Sequence, residues 1–462
     1  MRKLRTKIVI GLMASLLLIF LPKNLLADEG SPSVMELIEQ IGEEALVQDR
    51  PESAILIDAN TGKYLWGENP DLPRNPASIM KLMTLYLVYE AIENGQFTLD
   101  TMITGDARYQ AMSQIYALSN APIVEGVNYP VKDLLPMVLV PSSNVATIML
   151  AELVEKDPVD FLAKMNETAQ RLGMDNTTIY NATGADIGAF AGLYVPNGYD
   201  GSSLDPMADN ETTARDLSIL VYHLLNEYPE ILDYTHTRQV TVMQGTPYEE
   251  THDTYNHSLP GTRYEFAGVD GLKTGSSMSG GYNIAMTAQR EGLRLITIVL
   301  GVSEWGDPEG EYKRHPFANA ILDYGFKNFT YREILKPGAQ EIADQKFELA
   351  QGFFDLMPKD VQPTFQLEAT TLLLANRLPT VSEKIPSQKQ NVKLLNKPNQ
   401  PAPDKPQSSS SNFGVQTIIE KGLQKIQWLL AFIFGLIVLI TGLVVIQTNR
   451  KRRQARRNRG RR

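Results

Sequence analysis

Short apolar runs separated by turn residues open the body of this chain. Residues 53–58 (Ser-Ala-Ile-Leu-Ile-Asp) and 63–66 (Lys-Tyr-Leu-Trp) have the length of strands and their β-branched or aromatic residues, and Asn60-Thr61-Gly62 between them reads as a hairpin turn. The pattern changes over 76–94. There Ile79, Met80, Leu82, Met83, Leu85, Leu87 and Val88 leave almost no polar face. This predicts a helix buried on most sides, starting near Pro76 and stopped by Asn94-Gly95. Helical patterns dominate 130–225, over 131–140, 144–155, 158–172 and 212–225. Strand patterns then return over 268–276, 282–289 and 293–302, with Arg290-Glu291-Gly292 as a turn, and predict a meander. A further helix around 316–324 could cover that sheet.

This order predicts an α+β fold: a sheet assembled from both ends of a large first domain, residues 28–330, with an all-helical insert between them. Residues 331–385 carry short strand patterns punctuated by Pro and Gly and predict a small β-rich domain. From 386 to 412 the composition shifts to Pro, Gln, Asn and Ser, ending in Ser408-Ser409-Ser410-Ser411, which reads as a linker. Residues 413–427 turn amphipathic, with Val415, Ile418, Ile419, Leu423 and Ile426 on one helical face, and predict a surface helix leading into a membrane.

The two ends have their own grammar. Arg2, Lys3, Arg5 and Lys7 precede an apolar run from Ile8 to Leu21, and Leu25-Leu26-Ala27 offers a cleavage site, so residues 1–27 read as a secretory signal. Residues 428–446 contain no charge over 19 positions, enough for a single transmembrane helix. Residues 447–462 follow with Arg450-Lys451-Arg452-Arg453 and five further arginines, the mark of a cytoplasmic tail. The expected protein is exported, anchored by one C-terminal helix, with its body on the extracellular face.

Charge sharpens this. Residues 1–27 hold five and residues 450–462 nine of the 44 Lys and Arg, and neither stretch holds an acid; residues 28–449 therefore carry 30 basic against 53 acidic groups, a net of −23. A body this acidic argues against nucleic acid and anionic lipid as its partners. The chain has no cysteine, which excludes disulfides and thiol chemistry and leaves stability to a large core.

Against this background three motifs stand in order: Ser78-Ile79-Met80-Lys81, Ser142-Ser143-Asn144 and Lys273-Thr274-Gly275. The second follows the first by 64 residues and the third follows the second by 131, gaps that accommodate the helical insert and the return to the sheet. Ser78 and Lys81 at i and i+3 share one helical face. A serine hydroxyl needs a base to become a nucleophile, and a lysine can be that base if burial and a nearby cation depress its pKa. Lys273 would supply the cation if the motifs converge. His223, His236, His252 and His257 read as structural or surface histidines rather than a base, and no metal-ligand spacing is present, so no metal and no cofactor are expected.

These motifs, with Pro76-Ala77 before the serine, Asp270-Gly271 before the strand lysine and Gly281-Tyr282-Asn283 after it, resemble those of the membrane-anchored D-alanyl-D-alanine carboxypeptidases, the low-molecular-mass penicillin-binding proteins. The resemblance implies a β-lactamase/transpeptidase-like catalytic domain with a five-stranded antiparallel sheet and helices on both faces. It implies that Ser78 attacks the carbonyl between the last two D-alanines of a peptidoglycan stem peptide, with Lys81 as base. Ser142 and Lys273 would return a proton to the departing D-alanine, and Asn144 would hold the substrate amide. Lys273, Thr274, Gly275 and Ser276 would bind the terminal carboxylate, and the N–H groups of Ser78 and Ser276 would form an oxyanion hole. β-Lactams are then expected to acylate Ser78. Some family members carry histidine directly after Lys-Thr-Gly, where this chain has Ser276.

Two other readings share parts of the pattern. A serine β-lactamase would use the same three motifs, but the E-x-x-L-N loop of class A members is absent between Ser142 and Lys273. A non-catalytic surface protein, whether adhesin, scaffold or β-lactam sensor, is the other reading; a sensor is expected to carry several spans before its binding domain, whereas a span with a basic tail also ends wall-sorted surface proteins. Its wall-sorting variant needs L-P-x-T-G just before the span, and Leu378-Pro379-Thr380-Val381-Ser382 is degenerate and distant.

Overall fold

A computed structural model describes residues 31–342 and 344–395. The expected signal (1–27), the amphipathic helix (413–427), the transmembrane helix (428–446) and the basic tail (447–462) lie outside these residues. Among the described residues no helix is long and apolar enough to cross a membrane.

The predicted strands form one antiparallel sheet. Strands β1 (Ser53–Asp58), β2 (Tyr64–Glu68), β3 (Val269–Ser277), β4 (Gly281–Arg290) and β5 (Leu293–Val302) run in the order β2-β1-β5-β4-β3. The N-terminal hairpin thus docks beside the last strand of the meander, with Ile55 opposite Ile298. Alternation along the strands decides which layer each side chain joins. Ile55, Ile57, Ile296 and Ile298 face the helical insert, while Ala54, Leu56, Leu295 and Val299 face the C-terminal helix and Val34–Gln40. Both faces are therefore covered, and β3 is an edge.

The insert follows the expected helices closely. Helix α1 (Lys81–Glu93) buries ten of its thirteen residues, as its missing polar face requires. Val131–Leu139, α2 (Asn144–Val154), Pro158–Leu172 and Ala214–Glu227 surround it. Caps set their ends: Ser143 Oγ accepts from Ala146 N at the start of α2, and Asp157 caps Pro158–Leu172, which Gly173 ends at φ 93°. Thr213 is the N-cap of the last of these helices, so it begins at 214 rather than 212.

Two expectations are corrected. The helix expected at 316–324 is α3, Gly310–Asn328, with Pro316 inside it. Proline favours a first turn and so suggested a start. Here Phe317, Ala318, Ile321 and Leu322, packed on the sheet, hold the helix through the lost hydrogen bond. The β-rich segment also reaches beyond 385. Its strands begin at Phe329–Leu335 and end with Gln390–Asn391 and Lys393–Leu394, which pair with Thr371–Leu374 and Gln345–Leu349. The expected linker therefore loses residues 386–395 to this domain. Their composition is polar because backbone pairing and one buried side chain, Val392, suffice to hold them.

The small domain has its own core of Phe347, Leu349, Phe353, Met357, Leu372 and Leu374. It is tied to the catalytic hairpin at several points. Tyr64 N donates to Pro379 O at 2.9 Å, Val381 N donates to Gly62 O at 2.8 Å, and Val381 and Ile385 join the catalytic core.

Candidate active site

The turn carrying Ser78 is held in an unusual shape. Ala77 adopts φ +49°, with its N–H donated to Asn75 Oδ1 at 2.8 Å, and a 3-10 turn Ala77–Met80 leads into α1. Asn283 on β4 secures the segment by donating Nδ2 to Asn75 O at 3.1 Å. Two glycines let other backbones close on it. A Cβ at Gly275 would stand 2.5 Å from Pro76 O, and one at Gly184 would stand 1.9 Å from Ala77 O. The glycine of Lys-Thr-Gly is thus required by the close approach of β3 to the serine turn.

The three motifs meet at this point. Lys81 Nζ donates to Ser78 Oγ at 2.8 Å, to Asn144 Oδ1 at 2.9 Å and to Thr183 O at 2.7 Å. Lys273 Nζ donates to Ser142 Oγ at 2.9 Å and to Thr274 O at 2.7 Å. Ser142 reaches this position through φ +61° just ahead of α2. Asn144 is fixed on its other side by donating Nδ2 to Ser119 O at 2.9 Å, which leaves its second amide N–H.

The electrostatics follow from burial. Both lysines are buried, and neither forms an ion pair among the described residues. Burial, aided by the charge of Lys273, holds Lys81 well below the ordinary lysine range. Burial and the neighbouring Arg314 bring Lys273 down to about 7. Burial thus favours the free-base form of Lys81, and the acceptors Asn144 Oδ1 and Thr183 O hold its amine beside the Ser78 hydroxyl.

Arg314 on α3 is the member of the site that no motif announced. It is 1% exposed, and its Nη1 donates to Ser276 Oγ at 2.9 Å and contacts Gly275 O at 3.4 Å and Asn283 O at 3.3 Å. Burial pulls it down to about 10, and among the described residues no carboxylate is hydrogen-bonded to it. A buried guanidinium held only by neutral groups, at the edge of an open cleft, is suited to an anionic ligand. The cleft measures about 510 Å³ and is lined by Ser78, Ser142, Thr274, Ser276, Trp305 and Arg314 among others. Asn75 and Thr183 were also unsignalled in sequence, since both act through local backbone shape.

The histidines stand elsewhere. His223 pairs with Glu227 at 2.7 Å one helical turn away, and His236 Nδ1 lies 2.9 Å from Leu232 O. His252 and His257 border an adjoining cleft, and buried His315 packs behind them against His257 at 5.3 Å. None of them bonds to Ser78 or Lys81.

Comparison with known proteins agrees with this geometry. A family profile for D-alanyl-D-alanine carboxypeptidase (peptidase S11) matches residues 40–304. A second profile, for a domain of unknown function, matches residues 331–393. D-alanyl-D-alanine carboxypeptidase DacA of Haemophilus influenzae is 29% identical over 306 residues, 64% of this chain and 66% of the relative. DacF of Bacillus subtilis is 26% identical over 73% of this chain and 74% of its own length. The chain thus spans about two thirds to three quarters of the length of these relatives. Among solved structures, a peptidoglycan synthesis regulatory factor (PBP3) from Streptococcus pneumoniae superposes with TM-score 0.63 at 27% identity, covering 74% of this chain and 98% of that one. Penicillin binding protein 5 from Haemophilus influenzae shares the fold at 23% identity, with TM-score 0.57 over 76% of this chain and 98% of its own.

Proposed function

The chain belongs to the D-alanyl-D-alanine carboxypeptidase family, and on that footing we propose that it removes the terminal D-alanine from peptidoglycan pentapeptide stems through an acyl-enzyme on Ser78. The observation that carries the proposal is the 2.8 Å contact between a buried, depressed-pKa Lys81 and the Ser78 hydroxyl, beside a second buried lysine.

The mechanism follows the geometry. Lys81 takes the Ser78 proton as Oγ attacks the carbonyl between the two D-alanines. The N–H groups of Ser78 and Ser276 stabilise the oxyanion, Ser276 lying on the edge strand β3, which presents backbone donors outward. Ser142, bonded to Lys273, passes a proton to the departing amine, and the acyl-enzyme is then hydrolysed. Thr274, Ser276 and the protonated Lys273 bind the terminal carboxylate, with Arg314 behind Ser276 adding the permanent positive charge of this subsite. Asn144 aligns Lys81 and offers its remaining N–H to the substrate backbone. β-Lactams, which resemble the terminal dipeptide, acylate the same serine.

On this proposal the enzyme works outside the cell. Residues 1–27 are a secretory signal and 428–446 a membrane span, with the basic tail in the cytoplasm; the charge and hydropathy of these stretches support that reading. The deciding test is release of D-alanine from a D-Ala–D-Ala pentapeptide by the full chain, with Ser78→Ala alongside. Release that persists in Ser78→Ala, or neither release nor penicillin labelling by folded native protein, would overturn the assignment.

A further inference from the structure

Two of the oxygens around the Lys81 amine come from the motifs, Ser78 Oγ and Asn144 Oδ1. The third, Thr183 O at 2.7 Å, is a backbone carbonyl in a stretch, residues 180–185, with neither helix nor strand to hold it. Its direction is set by side chains. Thr183 O and Gly184 N belong to one planar trans peptide, so the two point opposite ways. Gly184 N donates to Asn181 Oδ1 at 2.6 Å, which turns the carbonyl end of that peptide away from Asn181 and onto Lys81. The same Oδ1 accepts from Thr183 N at 3.2 Å, an Asx turn closed over two residues.

Asn181 is braced in turn. Asn210 Nδ2 donates to Asn181 O at 3.0 Å and to its Oδ1 at 3.3 Å, while Asn210 Oδ1 accepts from Asn181 N at 3.0 Å and from Tyr180 N at 2.7 Å. Both asparagines are 1% exposed. The next peptide is fastened as well: Ala182 N donates to Tyr194 Oη at 2.9 Å, and Ala182 O accepts from Thr84 Oγ1 at 2.7 Å. Thr84 stands one turn after Lys81 on α1, so two side chains on one helix face grip two successive carbonyls. Asn210 also opens a short run that reaches the serine turn, because Thr212 exchanges backbone bonds with Arg74 at 2.7 and 3.0 Å. Bonding of buried peptides serves stability wherever it occurs. Aiming one carbonyl at the catalytic amine is a separate matter.

We propose that Asn181, braced by Asn210, is a positioning residue for the reaction: it aims the Thr183 carbonyl at Lys81 and so fixes the amine against the Ser78 hydroxyl. The inference rests on the peptidase reading above. Thr183 O and Asn144 Oδ1 can only accept, so each takes an N–H of Lys81, and Nζ stays 2.8 Å from Ser78 Oγ. Without Asn181 the peptide plane is free to turn. Lys81 then keeps one anchor besides Ser78, and the amine is no longer confined to the geometry that attack requires.

The test follows acylation of the full chain by a fluorescent penicillin, resolved into the dissociation constant of the initial complex and the rate constant for acylation of Ser78. Asn181→Ala and Asn210→Ala are each expected to lower the rate constant roughly 10- to 100-fold, with the dissociation constant within about twofold of native. Asn181→Ser should restore part of the rate, because a hydroxyl makes the same turn more weakly. In a Lys81→Met background Asn181→Ala should slow residual labelling no further, since its effect passes through the amine. Thermal unfolding establishes which variants are folded, and Asn210→Ala carries the test where Asn181→Ala is not. A native rate constant in every folded alanine variant, a loss confined to the dissociation constant, or a further fall of equal size in the Lys81→Met background would overturn the positioning role and leave the peptidase assignment standing. Failure of the native chain both to label and to release D-alanine would overturn the peptidase assignment and this role with it.

Discussion

The Lys63 ammonium and the Asp355 carboxylate meet 2.5 Å apart in the seam between the β1–β2 hairpin and the small β domain, 2% and 1% exposed. Lys63 also donates to Leu356 O at 3.3 Å, and Asp355 Oδ1 accepts from Leu356 N at 2.8 Å. Burial raises the Asp355 pKa and Lys63 opposes that rise. A pair this dry anchors the hairpin to the second domain, and removing one partner strands the other charge. Lys63→Met alone should destabilise the fold by about 3–5 kcal/mol, and Lys63→Met with Asp355→Leu should recover most of the loss. Denaturant unfolding of the three proteins measures this; single and double variants of equal stability would show that the pair couples nothing.

Lys81 has no substitute among the groups bonded to Ser78. Lys81→Met should slow acylation of Ser78 by fluorescent penicillin roughly 10²–10⁴-fold, the usual worth of a positioned base. Lys81→Arg should do no better, because a guanidinium stays protonated. Labelling of either variant at the native rate would refute the role of Lys81.

Burial lowers the Lys273 pKa from 10.5 to about 7, so the free enzyme loses this cation as pH rises through that value. If the cation binds the carboxylate and feeds Ser142, kcat/KM for the peptide falls on the alkaline side with an apparent pKa near 7. Lys273→Arg should push the alkaline limb out of range, whatever its absolute rate. An alkaline limb unmoved in that variant would assign it to another group.

Gly184 and Gly275 allow two backbones to press on the serine turn. Gly184→Ala meets Ala77 O at 1.9 Å and carries φ +85°, so it should displace Ala77 and Ser78 together. A loss of about 1–3 kcal/mol in stability and a large fall in penicillin acylation are expected together. Native acylation kinetics in Gly184→Ala would mean that this contact does not shape the site.

Asp58, 0% exposed at the end of β1, has its pKa raised to about 6 by burial, against the opposing bonds from Thr61. The folded value lies above the unfolded value of about 3.9. Its stabilising contribution is thus complete below that unfolded value and lost as pH rises through about 6. Native stability measured relative to Asp58→Asn should fall by about 1–3 kcal/mol between pH ~4 and ~7. A pH-independent difference between the two proteins would contradict the buried titration.

Much of the site was legible in sequence because each motif is a local object. Ser78 and Lys81 share a face through helical spacing alone, and Ser142 to Asn144 and Lys273 to Ser276 each lie on one short element. Arg314 was not legible. It reaches Ser276 only because α3 packs across the sheet, and no spacing within α3 announces the partner. Residues 386–395 were misread because pairing to distant strands leaves no apolar pattern.

The period of apolar residues and the turn and cap residues determined, within the sequence, the sheet at both ends, the buried helix α1 and the identity of the reactive side chains. Tertiary structure decided their reactivity. Lys81 and Lys273 carry ordinary amines in the unfolded chain, and only the convergence of α1, α2, β3 and α3 removes their water and sets like charges beside each other. Desolvation and charge proximity are properties of neighbours in space, and those neighbours come from segments up to about two hundred residues apart.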